Sequence, residues 1–315
     1  LDSGVKYRFY EKTAPAGYQL NSEYYYFQIA GEKEFEDSNY PVKQLSSATA
    51  AFSIPNIAKI SVSATKSWND AENQDGKRPT EITVTLKANG QNANVAAPDV
   101  VNGEVVSGTN NSQVKLKADA SGSWANTKVT WNDLPKVDSN GHQITYTVEE
   151  SWFSNDYSAS YQYPDKNVWG VKGQDGNVVI TNTHTPEKTS VKFKKIWKDN
   201  SDQDGLRKEF GELYVALFAD GTLVEKDADG NAVAPKQINK KSNTSEYSWD
   251  NLPKYKSGKE ITYTIKEGTL TNGVFQEFTK ESLENLGYTS KTDTAKTPIE
   301  LTNTHEPKTE SLKVI

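Results

Sequence analysis

The sequence predicts an all-β protein made of tandem β-sandwich domains. Three observations lead to this prediction. Apolar and polar residues alternate with period two, turn signals separate the alternating runs, and one long pattern occurs twice. Short alternating strands at regular spacing are typical of two antiparallel sheets packed face to face. With 315 residues, the chain is long enough for two or three such domains.

Three landmarks establish the repeat. A tryptophan closes an alternating run at Trp68 and again at Trp197, 129 residues later. The stretch "TWNDLPK" returns as "SWDNLPK" after 118 residues, and "TNTH" places Asn182 and Asn303 121 residues apart. Since the landmarks keep their order at nearly constant spacing, we interpret them as two copies of one domain.

The landmarks also give the domain boundaries. We predict complete domains at residues 58–185 and 186–306. Residues 1–57 resemble the back half of a preceding domain, because "YRFYE" repeats the pattern of "YTVEE". Residues 307–315 match the start of a following repeat or a linker. Prolines after each "TNTH" block predict short, stiff joints.

Alternation predicts the strands of the first complete repeat in chain order. They are 60–68, 81–88, 104–118, 128–134, 144–150 and 177–183. Turn signals such as Asn89-Gly90 and Gln74-Asp75-Gly76 separate these runs. In the second repeat, residues 280–288 offer the one helical alternative, and we favour the all-β interpretation there as well.

Composition excludes several classes of function. The chain holds 36 Lys and Arg against 42 Asp and Glu, a net charge of −6, so we expect neither nucleic acid nor an anionic membrane as partner. No stretch is long and apolar enough to insert into a membrane. Without cysteine the chain has no disulfides, thiolate metal sites or cysteine nucleophiles.

Side-chain parity points to a polar cluster in each repeat. Successive strand residues face opposite sides of a sheet, so a polar residue in step with the apolar set faces the core. Three such residues occur in each repeat, a lysine, a glutamate and an asparagine. They are Lys66, Glu150 and Asn182 in the first repeat, and Lys195, Glu267 and Asn303 in the second.

Two interpretations of these clusters are open. One is a buried Lys–Glu ion pair with a bystander asparagine, which stabilises weakly. The other is covalent. Burial favours the neutral forms of both ionisable groups, a neutral amine is a nucleophile, and a protonated carboxyl can polarise an amide carbonyl. Attack of the lysine on the asparagine side chain would expel ammonia and leave an isopeptide crosslink. Proximity in a packed core would supply much of the rate.

The pattern "VSATKSW…WNDLPK…ITYTVEE…VVITNTHT" resembles the CnaB-type repeat of Gram-positive surface adhesins and pilins. The resemblance covers essentially the whole chain, most strongly residues 58–306, and "YTVEE" and "YTIKE" look like the family's E-box. It implies reverse immunoglobulin-like sandwiches in an elongated array. It also implies autocatalytic crosslinks Lys66–Asn182 and Lys195–Asn303, with Glu150 and Glu267 as the catalytic acids.

The resemblance further implies a role. We expect a structural stalk segment of a surface adhesin or pilus subunit, extracellular and anchored to the cell wall through a region outside this chain. Expected partners are neighbouring repeats of the same chain and a host extracellular-matrix or cell-surface ligand. An alternative is that one repeat itself binds the ligand, and residues 155–170, rich in Tyr and Trp, are the candidate surface. A turnover enzyme is not expected, because the candidate acids face inward.

The N-terminal segment carries a candidate third pair. Glu11 follows Tyr7 and Phe9 in parity, and Asn56 follows Phe52 and Ile54. Here the crosslinking lysine would lie outside this chain. Pro55, just before Asn56, departs from the pattern of the two complete repeats.

No cofactor or metal is expected. Residues 200–205 resemble the start of a calcium loop, but Gly211 stands where the bidentate glutamate is required, so we predict an acidic turn. We expect His184 and His305 to be solvated residues without a role near the domain joints.

Overall fold

The structure is a computed structural model that describes residues 1–2, 5–28, 54–138, 140–151 and 154–310. By their internal contacts these residues form two compact units. One comprises residues 1–69 and 79–184, and the other residues 70–78 and the chain from 185 onward. The described secondary structure is nearly all β, which confirms the predicted fold class.

The N-terminal segment consists of short antiparallel pairs. Its strands are β1 (Lys6–Tyr10), β2 (Tyr18–Gln19), β3 (Tyr24–Gln28) and β4 (Ile57–Ala58). β1 pairs with β3, where Phe9 stacks on Tyr25, and β2 pairs with β4. The second pairing brings the residues just before β4 back toward β1. Phe52 lies outside the described residues.

The first complete repeat consists of eleven described strands. They are β5 (Ile60–Asn69), β6 (Glu81–Ala88), β7 (Gln91–Asn92), β8 (Asp99–Val101), β9 (Gly103–Val105), β10 (Gln113–Lys117), β11 (Lys128–Leu134), β12 (Thr145–Glu150), β13 (Ser158–Gln162), β14 (Val171–Lys172) and β15 (Gly176–Thr183).

These strands form two sheets, as expected for a sandwich. One has the order β13-β15-β5-β11-β8, and the other β14-β12-β6-β10-β9 with β7 paired to β6. Apolar side chains from both sheets meet in one buried cluster, with Val62 and Trp131 from the first sheet and Val84 and Val148 from the second. The Trp131 indole is fully buried and donates to the Asn111 carbonyl, so its polar edge is satisfied inside the core.

The second repeat has the same plan. Its elements are β16 (Lys188–Lys198), a 3₁₀ helix (Leu206–Phe210), β17 (Tyr214–Ala219), β18 (Thr222–Leu223), β19 (Lys236–Gln237), β20 (Thr244–Pro253), β21 (Tyr255–Lys256), β22 (Lys259–Glu260), β23 (Tyr263–Thr271), β24 (Val274–Glu277), α1 (Lys280–Asn285), β25 (Thr289–Asp293) and β26 (Ile299–Thr304). Its sheets have the orders β20-β16-β26-β25 and β18-β17-β23-β24, with β19 paired to β17.

The short helix α1 corrects the all-β interpretation of residues 280–288. Thr279 caps the helix by accepting a hydrogen bond from the Ser282 backbone N–H. Leu283 is buried on the core-facing side, and Leu286 packs against the same core. Local capping and apolar residues at helical spacing therefore outweigh the surrounding β pattern.

Candidate functional site

In each repeat the first and last strands are neighbours. β15 runs parallel to β5 with Ile180 opposite Lys66 and Asn182 opposite Trp68. β26 runs parallel to β16 in the same register, with Leu301 opposite Lys195 and Asn303 opposite Trp197. Because side chains two residues apart face the same side, the register carries lysine and asparagine to one patch of the core in both repeats.

The structure buries all six residues singled out by parity. None is more than 7% exposed, and Lys195 and Asn303 are fully buried. The glutamates come from the opposite sheet, since Glu150 ends β12 and Glu267 lies in β23. Each cluster thus draws its lysine and asparagine from one sheet and its acid from the other.

In the first repeat the carboxyl of Glu150 bridges the other two side chains. Its Oε1 accepts a 2.6 Å hydrogen bond from Asn182 Nδ2, and its Oε2 lies 3.7 Å from Lys66 Nζ. The lysine ammonium also donates to the Ile180 carbonyl at 3.3 Å and lies 4.1 Å from the centre of the Trp68 ring. Burial raises the pKa of Glu150, against the opposing effects of Lys66 and Asn182.

In the second repeat the acid is turned toward the lysine. Glu267 Oε1 lies 2.9 Å from Lys195 Nζ, an ion pair whose angles fall outside hydrogen-bond geometry. The other oxygen, Oε2, accepts a 2.8 Å hydrogen bond from Ser290 Oγ. Both polar atoms of the buried Asn303 amide lack a hydrogen-bond partner.

The surroundings of Lys195 disfavour its charge. Burial lowers the pKa of this amine, Glu267 opposes that effect, and the cation of Arg207 adds to it. Both side chains lie near the Trp197 ring, with Lys195 Nζ 4.4 Å and the Arg207 guanidinium carbon 5.1 Å from its centre. Thus the pKa of the acid, Glu150, is raised in the first repeat, and the pKa of the amine, Lys195, is lowered in the second.

The N-terminal segment contains part of the same arrangement. Asn56 Nδ2 donates to Glu11 Oε1 at 3.0 Å, while Glu11 Oε2 accepts from the Asn21 backbone N–H at 2.9 Å. Asn56 Oδ1 is buried without a hydrogen-bond partner. The structure thus brings together the acid and the amide that parity singled out in this segment.

Sequence reasoning missed an Asp–Arg ion pair whose aspartate directly follows the first strand of each repeat. In the second repeat Asp199 accepts from Arg207 at 2.7 and 2.5 Å and from the Tyr288 hydroxyl at 2.8 Å. Asp70 and Arg78 form the corresponding pair, with contacts of 2.7 and 2.6 Å. The signal was present in the sequence, because both pairs have the same eight-residue spacing at the same place in the repeat.

The expectation that both histidines are solvated and without a role was wrong. His184 is buried, and its Nδ1 lies 2.8 Å from the Asp156 carbonyl oxygen. His305 Nδ1 lies 2.7 Å from the Gly287 carbonyl, and its Nε2 lies 3.0 Å from Asp204 Oδ2. Each histidine thus ties the end of its closing strand to a neighbouring loop.

The turn at 200–205 supplies one partner of His305. Asp204, a calcium-loop position in the sequence, also accepts from the Lys308 backbone N–H at 3.1 Å. Within the described ranges no group of three or more acidic or histidine side chains is placed to hold a metal ion.

Chemically, each complete cluster holds a nucleophile, an electrophile and an acid away from water. For crosslinking, the neutral lysine amine would attack the asparagine Cγ while the glutamic acid donates a hydrogen bond to the amide oxygen, which makes no hydrogen bond in either complete repeat. One C–N bond forms, the original C–N bond of the carboxamide breaks, and ammonia leaves with the proton shed by the lysine. The carboxyl can carry that proton between the two nitrogens, so it ends the reaction unchanged.

Two tandem sandwiches, each with a buried Lys–Glu–Asn cluster that links its first and last strands to the opposite sheet, define a β-sandwich repeat protein with a polar cluster in each core. The Cna protein B-type domain model matches residues 62–183 and 191–304, so the chain belongs to that family. Its two repeats are of the adhesin and pilin type.

Relatives agree with this assignment. A collagen adhesin of Staphylococcus aureus is 34% identical over 210 residues, which are 66% of this chain and 14% of that protein. The crystal structure of two B repeat units of the collagen binding protein of the same organism is 30% identical. It aligns with a TM-score of 0.52 over 79% of this chain and 50% of that one. Across the described residues, no helix is long and apolar enough to cross a membrane.

Proposed function

We propose that the chain is a structural stalk segment of a bacterial surface adhesin or pilus subunit, stabilised by internal Lys66–Asn182 and Lys195–Asn303 isopeptide bonds. The observation that supports this most directly is the buried convergence of lysine, glutamate and asparagine in both repeats, with matched register. An ion pair alone would leave the buried Asn303 amide unsatisfied without any gain.

The crosslinks suit a stalk because they join the first strand of each repeat to the last. Force that enters at one end and leaves at the other would then pass through the covalent bond. The 115 residues between Lys66 and Asn182 would lie outside the load path. Hydrogen bonds between strands would not have to hold the repeat closed.

Intact-protein mass spectrometry tests the proposal. The full chain is expected to weigh less than its sequence by two ammonia molecules. Glu150→Ala and Glu267→Ala are each expected to restore one, because the acid that assists the attack is gone. Glu149→Ala is the matched control, since Glu149 is the next residue on β12 but is exposed and pairs with Lys87 at 2.7 Å. A mass equal to the plain sequence would overturn the crosslinks.

The N-terminal pair extends the proposal. We propose that Glu11 and Asn56 form the acid and amide of a third site, whose lysine comes from outside this chain. The Asn56–Glu11 hydrogen bond resembles the Asn182–Glu150 bond of the first repeat. In a longer chain with the preceding sequence, a third ammonia loss that Asn56→Ala abolishes is the expected result.

The name of the S. aureus relative suggests a host ligand. We propose that the protein is displayed at the bacterial surface and contributes to adhesion to extracellular matrix, through this or another region. A second candidate function is ligand binding by the first repeat itself. Its specific support is Trp169, which is 63% exposed and lies against Tyr161 and Tyr163.

The surface around the exposed Trp169 can be tested separately. If the first repeat binds matrix directly, Trp169→Ala should abolish retention of the full chain on immobilised collagen. Val101→Ala is a matched control, because it removes another exposed apolar side chain, 50% exposed, from the same repeat. Equal retention of all three proteins, or no retention of any, would rule out this surface as the collagen site.

A further inference from the structure

The two crosslinking sites differ in how the acid uses its two oxygens. In the first repeat, one oxygen of Glu150 serves Asn182 and the other faces Lys66. In the second repeat, one oxygen of Glu267 faces Lys195 and the other is taken by Ser290. Neither oxygen bonds the Asn303 amide, which makes no hydrogen bond.

The residue responsible for this difference sits at one matched position. Ser290 on β25 lies opposite Asn303, and Ala159 on β13 lies opposite Asn182. Both positions are exposed at the edge of their sheet. Only the serine has a hydroxyl that can reach the carboxyl of the neighbouring acid. An alanine at this place leaves the carboxyl free to bind the asparagine.

We infer that Ser290 is a positioning residue that holds Glu267 away from Asn303 and makes the second repeat crosslink more slowly than the first. The inference rests on the proposed function. The reaction requires contact between the Glu267 carboxyl and the Asn303 amide. It also requires the neutral forms of the Lys195 amine and the Glu267 carboxyl. A hydroxyl that donates to Glu267 competes with the Asn303 amide for that carboxyl.

The size of the effect follows from one hydrogen bond to a charged group. Because Ser290 is exposed, we take the lower part of the range for such bonds, which corresponds to about a tenfold change in rate. Ser290→Ala is therefore expected to speed crosslinking of the second repeat about tenfold. Ala159→Ser is expected to slow crosslinking of the first repeat by a similar factor.

The test follows both reactions in one chain. The full chain is made in a short pulse of cell-free translation, quenched in denaturant at intervals and digested. The peptides joining Lys66 to Asn182 and Lys195 to Asn303 are then quantified by mass spectrometry. In each single variant the unchanged repeat is an internal control for synthesis and folding. Thr289→Ala, which removes the neighbouring hydroxyl on β25, is the matched surface control.

Faster crosslinking in Ser290→Ala, slower crosslinking in Ala159→Ser, and a wild-type rate in Ser290→Thr would support the inference. Loss of a merely structural contact would not accelerate a reaction, so the sign of the Ser290→Ala effect separates the two roles. Unchanged or slower crosslinking in Ser290→Ala would overturn it while leaving the crosslinks in place. No joined peptide from either repeat, in any variant, would overturn the proposed function itself.

Discussion

The substitution Asn303→Ala isolates the proposed crosslink of the second repeat. It leaves the Lys195–Glu267 ion pair in place and removes an amide that makes no hydrogen bond. Its direct cost is therefore a small cavity, about 1 kcal/mol. The crosslink itself closes a loop of about 108 residues, which by analogy with a disulfide stabilises the folded state by about 5 kcal/mol.

The same magnitude gives the expected shift in melting temperature. A repeat of about 120 residues unfolds with an entropy of about 0.25 kcal/mol/K, so 5 kcal/mol corresponds to about 20 °C. Scanning calorimetry of the full chain measures this shift, and intact mass confirms that one ammonia has been restored. The calorimetric transition that shifts in Asn303→Ala is the unfolding transition of the second repeat.

A thermodynamic cycle supplies the control. In a Glu267→Gln background, where the crosslink does not form, Asn303→Ala should lower the melting temperature by only a few degrees. A shift of the same size in both backgrounds would mean that Asn303 stabilises the repeat as an ordinary side chain. The reasoning would also fail if Asn303→Ala alone moved the transition by less than about 5 °C.

Three further outcomes are expected from the second repeat and its neighbour. The hydrogen bond that His305 donates to Asp204 raises the pKa of His305, so the stabilisation by this pair should be complete below about pH 6.5, where Asp204 is still ionised, and decline as pH rises through the raised value. His305→Ala should therefore cost most at mildly acidic pH in chemical denaturation. Arg207→Ala should lower the free energy of unfolding by about 3 to 5 kcal/mol, because it leaves a buried carboxylate unpaired. Arg78→Ala should cost less in the same measurement, since the Arg78 side chain is 18% exposed against 4% for Arg207. A flat pH dependence for His305→Ala, or a larger loss for Arg78→Ala, would contradict these expectations.

Parity was sufficient to predict the six buried cluster residues, because alternation in a strand fixes which side chains face the core. The pairing of the first strand with the last was different. Lys66 and Asn182 are far apart in sequence, and alternation alone does not say which strands are neighbours or in what register. The prediction that the first strand pairs with the last came from the resemblance to the family. The domain boundaries at 58–185 and 186–306 stay predictions.

The missed features depend on tertiary contacts. Ser290 acts on Glu267 only through the register between β25 and β26, and an exposed serine on an edge strand gives no sequence signal. His305 was misjudged for the same reason, since its partners Asp204 and Gly287 come from distant loops. The helix α1 was predictable in principle from its Thr279 cap, but its short length and β surroundings favoured the wrong interpretation.

The position of the crosslink along the strands matters as much as its presence. Lys66 lies near the end of β5 and Asn182 near the end of β15, so the first six residues of β5 precede the crosslink. Because a β-strand already rises about 3.3 Å per residue against a limit of about 3.6 Å, these residues could lengthen by only about 2 Å before the proposed covalent bond carries the load. Without the crosslink, the roughly 115 residues between Lys66 and Asn182 could also unfold and extend under load. A crosslink near the start of β5 would remove even the short extension. The proposed crosslinks would therefore leave each repeat almost inextensible along its first strand, and the shared register would place both crosslinks at the same point of the repeat.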